Sequence, residues 1–161
     1  MKSVIRLLVL GGVLALGACG DNRVDPDRRY LLAPGTQESN LHSNETPELR
    51  QLIDQYAAEY QVPADLVQRV IIRESGHRPG ARNGPYYGLM QILPATARGM
   101  GYRGEAAGLL DAETNLKYGV KYLRGAYVVA GGNKDAAIKW YSKGYYYEAK
   151  RKGLLEESGL R

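Results

Sequence analysis

A glutamate that interrupts an aliphatic stripe, with a helix stop directly behind it, is the feature of this chain best suited to chemistry. Residues 63–74 read Pro-Ala-Asp-Leu-Val-Gln-Arg-Val-Ile-Ile-Arg-Glu, followed by Ser75-Gly76. Leu66, Val67, Val70 and Ile71 recur at helical spacing, and Glu74 takes the next place on that apolar face. Burial disfavours the charged form of a carboxyl and raises its pKa. A carboxylic acid that keeps its proton near neutral pH is what general-acid attack on a leaving oxygen requires. Taken alone, the same residue reads more readily as a helix-end carboxylate that reaches water or pairs with a nearby arginine.

The residues downstream decide between the two. Gly88-Leu89-Met90-Gln91-Ile92-Leu93-Pro94-Ala95-Thr96-Ala97 begins 14 positions after Glu74. Pro79-Gly80-Ala81 lies between, Leu110-Asp111-Ala112-Glu113-Thr114-Asn115-Leu116 and Gly119-Val-Lys-Tyr-Leu123 follow, and Trp140-Tyr141-Ser142-Lys143-Gly144 closes the series. With Glu74-Ser75-Gly76, these segments resemble, in order and spacing, the catalytic domain of lytic transglycosylases of the soluble-lytic-transglycosylase type. The resemblance runs from about Leu49 to Lys152 and implies a lysozyme-like, all-α fold, with a small β element possible in the loop after the catalytic helix.

The resemblance also implies roles. Glu74 would be the single catalytic group: an acid toward the glycosidic oxygen, then a base toward the muramoyl C6 hydroxyl, leaving a 1,6-anhydro end without consuming water. The Ser75 hydroxyl could orient its carboxyl. Gln91 and Met90 look like groove residues, with core filling as the other reading of Met90. Gly88, lacking a side chain, would let backbone approach the substrate closely. Asn115 is carried over as a groove or site-shaping residue, helix capping being its alternative. Tyr141 matches a tyrosine that positions the glutamate. Ser142-Lys143 departs from the family's usual Asn-Ala, which puts that contact in doubt and brings a positive charge near the groove. Most glycosidases use a second carboxylate, but none stands out here: Asp111 and Glu113 both read as helix-start residues.

Aromatic residues are skewed to 13 Tyr and one Trp, with no Phe. Tyrosine stacks on sugar rings while its hydroxyl meets water, so Tyr86 and Tyr87 are candidate groove walls. Tyr145-Tyr146-Tyr147 reads either as another wall or as packing for the last helix. His42 and His77 have no Cys or His neighbour in sequence, so no metal site and no cofactor are expected.

These residues need helices to hold them. Thr46-Pro47-Glu48 reads as an N-cap with proline at the first helical position, opening a helix through Leu49, Leu52, Ile53, Tyr56, Ala57 and Tyr60. The Glu74 helix stops at Gly76, a Gly/Pro/Asn-rich loop spans 77–87, and a short helix covers 94–100. Asp111 caps the longest helix, with Leu116, Val120, Leu123 and Tyr127 on one side and Gly131-Gly132 at its end. Asn133 or Asp135 opens the next helix, which Gly144 stops, and a last helix covers 146–152.

The first 18 residues are set apart from this domain. Lys2 and Arg6 precede an apolar run from Leu7 to Leu16 that is too short to span a bilayer and suits a signal peptide. It ends in Leu16-Gly17-Ala18-Cys19-Gly20, which resembles a lipoprotein box, so Cys19 is the expected lipidation site. As the single cysteine, it also leaves no intrachain disulfide. An ordinary secretory signal is the alternative. Residues 19–45 then read as lipidated cysteine and tether: polar, with too few apolar groups to order themselves. The 26 residues from Gly20 to Glu45 would span roughly 28 Å as a coil and up to about 85 Å when stretched. Removing Lys2 and Arg6 lowers the formal charge from +5 to +3, which makes no case for nucleic acid.

The expectation is therefore a catalytic domain over 46–161, lipid-anchored on the periplasmic side of a bacterial envelope, with the outer membrane the favoured one. Its partners would be peptidoglycan glycan strands and, through the anchor, the membrane. Two alternatives remain: a hydrolytic muramidase or chitinase-like enzyme on the same fold, and a non-catalytic glycan-binding envelope lipoprotein.

Overall fold

A computed structural model describes residues 40–160. Cys19, the signal segment and most of the expected tether lie outside the described residues. Helix α1 (Pro47–Glu59) starts as its sequence dictates, with Thr46 Oγ1 accepting the Leu49 N–H at 3.2 Å and proline in the first turn. Helix α2 (Ala64–Glu74) follows a short turn and ends at Ser75, whose N–H still donates to the Ile71 carbonyl. The loop beyond it contains a two-residue antiparallel hairpin, β1 (Arg82–Asn83) against β2 (Tyr86–Tyr87), with Asn83 opposite Tyr86 and Arg82 opposite Tyr87. Gly84 turns at φ +56° and Pro85 follows it, a pairing suited to a two-residue hairpin loop.

Helix α3 (Pro94–Gly99) and a 3-10 turn (Ala106–Leu110) lead to α4 (Ala112–Val129). Asp111 caps α4 by accepting the Thr114 N–H at 2.8 Å. Of the two candidate caps for α5 (Lys134–Lys143), Asn133 is the one used, accepting from Ala136 N–H. Gly144 ends α5, and α6 (Tyr146–Lys152) follows. The architecture is all-helical apart from the hairpin.

Helix α4 is the central element, packed by α1, α3, α5 and α6. The main core joins Ile53, Leu66, Val67, Val70 and Ile71 to Leu116, Val120, Leu123 and Ala126 of α4. Leu89 and Met90 also belong to it, so the loop after the hairpin is pinned from below. A smaller cluster of Ile92, Ala97, Tyr102 and Leu109 supports the hairpin side. Tyr145 is buried and donates to the Tyr122 carbonyl at 3.0 Å, whereas Tyr146 and Tyr147 are exposed. The tyrosine triplet is thus divided between core and surface.

The expected end of the tether behaves differently from a solvated coil. Glu45 is buried, and its carboxylate accepts from His42 N–H (2.8 Å), Gln68 Nε2 (2.7 Å) and both Nε and a terminal amine of Arg50 (2.6 Å each). Asn44 donates to the Gly76 carbonyl at 2.9 Å. His42 stacks on His77 with ring centres 5.1 Å apart. Residues 40–45 therefore pack on the helical domain, and His77 has a histidine neighbour that its sequence surroundings did not show.

Candidate functional site

Glu74 closes α2 beside an open cleft with two connected sections. The larger, about 640 Å³, is bordered by the 77–83 loop and by Asn44. The smaller, about 310 Å³, is bordered by Arg73, Tyr86, Tyr141 and Ser142. Glu74, Asn83 and Gln91 line both sections, so the carboxyl stands where they meet. Among the described residues no other Asp or Glu lines either one. Tyr86, an expected groove wall, lines the smaller section and is 42 % exposed.

The Glu74 side chain keeps 23 % of its exposure. Burial raises its pKa above the usual carboxylate value, and the nearby Arg73 guanidinium, 3.6 Å from Oε1, opposes the shift. Among the described residues no hydrogen-bond donor meets the carboxyl. A desolvated, unclamped carboxyl favours the protonated form and leaves its proton free to be donated into the cleft.

Several residues act from places the sequence did not indicate. Ser75 is buried, and its hydroxyl donates weakly to the Ile71 carbonyl at 3.4 Å, completing the helix end rather than orienting Glu74. Met90 is wholly buried and lies on Gly119 of α4, where a Cβ would come within 2.6 Å of its sulfur. Its side chain fills core and does not line the groove. Gly88, at φ +72°, makes its close approach inward: a Cβ there would overlap the Asn115 amide and the Leu109 carbonyl. Asn115 is fully buried and caps no helix. Its oxygen accepts the Met90 N–H at 2.8 Å, while its amide donates to the carbonyls of Tyr87 (2.8 Å) and Leu109 (2.7 Å). It shapes the site by clamping three segments together.

Tyr141 is buried at the edge of the smaller section, and its hydroxyl donates to the Met90 carbonyl at 2.8 Å. Burial and the nearby Glu74 push its phenol well above the ordinary value, so it remains a donor. Its hydroxyl proton is committed to the Met90 carbonyl, while Glu74 lies near enough to act on the phenol electrostatically. Tyr87 is half-buried, packed on the smaller core cluster with Arg82 4.8 Å above its ring. It props the hairpin and does not line the cleft. Ser142 does line the cleft, but its hydroxyl donates back to the Ile138 carbonyl at 3.1 Å; Lys143 does not line it.

Gln91 has the most constrained geometry. Its backbone is left-handed at φ +46°, a conformation that costs a non-glycine residue roughly 1–2 kcal/mol. Its amide nitrogen donates to the carbonyls of Gly88 (2.8 Å) and Ala81 (3.1 Å). Its Oε1 is buried with no partner among the described residues. An acceptor held in this way, on a residue lining both sections, is suited to receive an O–H or N–H from a ligand.

Sequence reasoning missed Asn83 and the three arginines of the cleft, Arg73, Arg78 and Arg82. The available signal was the polar, glycine- and proline-rich loop 77–87, whose composition marks a surface loop without saying which side chains turn inward. No group of three or more His, Cys, Asp or Glu among the described residues is arranged to hold a metal ion. Residues 51–155, well over half of the chain and including Glu74 with every element of the cleft except Asn44, match the family described as the transglycosylase SLT domain. The chain belongs to that transglycosylase SLT domain family.

Proposed function

We propose that this protein is a peptidoglycan lytic transglycosylase that cleaves the MurNAc–GlcNAc glycosidic bond. The observation that carries the reading is that, among the described residues, Glu74 is the one carboxylate on a cleft extending to both sides of it. A polymer lying along that cleft puts a glycosidic oxygen against the carboxyl, with sugars on either side. Glu74 gives its proton to that oxygen as the C1–O bond breaks and positive charge develops on the sugar ring. The resulting carboxylate then takes the proton of the C6 hydroxyl, whose oxygen closes on C1. The glutamate ends as it began, protonated, and the product carries a 1,6-anhydro ring.

A hydrolase of the two-carboxylate kind needs a second Asp or Glu within about 5–10 Å of the first, facing the same bond. Among the described residues no second carboxylate lines the cleft, which favours the intramolecular route. Gln91 Oε1 and the exposed Tyr86 supply a hydrogen-bond acceptor and a stacking surface for the sugars. In the same proposal Cys19 is lipidated and residues upstream of the domain tether it, on the periplasmic side of the outer membrane, within reach of the wall.

The deciding experiment digests purified sacculi with the full chain and reads the products by mass spectrometry, wild type beside Glu74→Gln. Anhydromuropeptides are expected from wild type, with a loss of about 10²–10⁴-fold in the variant, the usual scale for a general acid–base group. Hydrated reducing ends would instead identify a hydrolase. Equal, negligible product from both would identify a binding protein.

A further inference from the structure

We infer that the cleft reads the carboxylates of the peptide stems carried by the glycan, with Arg82 as the principal contact and Arg78 beside it. This rests on the reading of the cleft as a peptidoglycan site and adds a specificity to it.

The charge around the cleft is one-sided. Among the described residues Arg73, Arg78 and Arg82 line it, and Glu74 is the one carboxylate that does. Arg73 sits against Glu74, but among the described residues neither Arg78 nor Arg82 has a carboxylate partner. Solvated surface arginines are common, so exposure alone would imply nothing. These two are held in place. Arg78 donates from Nε to the Ser75 carbonyl at 2.8 Å, which fixes the guanidinium beside the end of α2, and among the described residues its terminal amines have no partner. Arg82 lies over the Tyr87 ring, a contact that spends none of its N–H donors. The Tyr87 backbone is held by the Asn115 clamp on its carbonyl, and its ring packs on the smaller core cluster.

Such pre-positioning lowers the entropy lost when a planar guanidinium engages a carboxylate through two hydrogen bonds. Neutral sugar hydroxyls do not require that fork. In peptidoglycan the carboxylates belong to the peptide stems that branch from the muramoyl residues. Both arginines border the larger section of the cleft and not the Tyr86–Tyr141 section, so the stem contact belongs on that side of the scissile bond.

Binding separates this inference from the chemistry. The full chain carrying Glu74→Gln is titrated with two probes: glycan strands bearing their stems, and the same strands after an amidase has removed them. Stem-bearing strands are expected to bind about three- to tenfold more tightly at low salt, with the ratio falling as salt screens the contact. Adding Arg82→Gln should bring the ratio close to one, and Arg82→Lys should restore part of it, keeping charge without the fork. Equal affinity for the two probes overturns the inference. So does an Arg82→Gln variant that weakens both probes by the same factor, because that outcome marks a sugar contact or a structural role. If the active enzyme makes anhydro ends while both probes bind equally, only the stem specificity fails. If neither probe binds, the inference fails together with the substrate class.

Discussion

At the scale of the single residue, what distinguishes Glu74 is how little the chain does for its charge. Burial raises its pKa, Arg73 at 3.6 Å only partly opposes this, and no donor among the described residues meets it. The consequence for stability has a definite sign. A carboxyl whose pKa is raised by folding favours the native state while protonated, and that advantage is lost as pH rises from the ordinary value of 4.5 through the raised one. Glu74→Gln, a permanent mimic of the protonated form, should therefore melt no lower than wild type at pH 7, and the gap should close on acidification toward pH 4. Paired thermal melts at the two pH values test this. A variant that is less stable at pH 7 would mean that the Arg73 pair outweighs desolvation. Activity and stability are expected to move in opposite directions at this one position, as they do where a functional group is held in an unfavourable setting.

At the scale of the element, the cleft depends on one side chain that touches no open space. Asn115, on α4, fastens the end of β2 at Tyr87, the 3-10 turn at Leu109 and the loop at Met90. Asn115→Asp keeps the acceptor for Met90 but turns both donors into acceptors facing carbonyls. A loss of about 3–5 kcal/mol is expected from two unmet carbonyls and a buried charge, measured by urea unfolding. Asn115→Ala should cost about 2–4 kcal/mol, and a smaller loss for Asp than for Ala would contradict the clamp. This element also shows what the sequence made legible. The caps at Thr46, Asp111 and Asn133 are local, set by a side chain and the amide three residues on, and the stop at Gly144 is set by its own positive φ, so the helices could be located from composition and spacing. Glu74 could be found because a carboxylate breaks an aliphatic stripe. The direction of Asn115, Met90 and Gly88 could not, because it depends on contacts 25 to 28 residues apart along the chain for Asn115 and on whether a motif faces the core or the solvent. The same motif residues that suggested a groove turn out to build its floor.

At the scale of the whole molecule, residues 40–45 form the least expected part of the fold. Burial alone would push the Glu45 carboxyl up, but the Arg50, His42 and Gln68 hydrogen bonds outweigh it and hold the pKa down at about 2. Behind it, Gln68 gives its amide N–H to Glu45, so its oxygen accepts from His77 Nε2 at 2.7 Å. Burial lowers the pKa of His77; Glu45, 3.8 Å away, opposes this, while His42 and Arg50 add to it. Both shifts lie below the ordinary values, so both contributions are present at neutral pH and lost on acidification. The His77 part fades as pH falls below about 6.5, and the Glu45 part between 4.5 and about 2. His77→Gln should flatten the upper part of the acid-stability profile. Glu45→Ala should cost about 2–4 kcal/mol at pH 7 by leaving Arg50 and Gln68 without their acceptor. An unchanged unfolding midpoint in Glu45→Ala would show that the segment is not anchored there. The bond from Asn44 to the Gly76 carbonyl has a mechanical meaning as well. Gly76 lies two residues beyond Glu74, so a pull on the chain upstream of Asn40 reaches the domain at two places, at α1 through Arg50 and at the end of α2 through Asn44. Tension entering at Asn40 would thus be shared between α1 and the end of α2, and the Asn44 bond is the branch that passes it on to within two residues of Glu74.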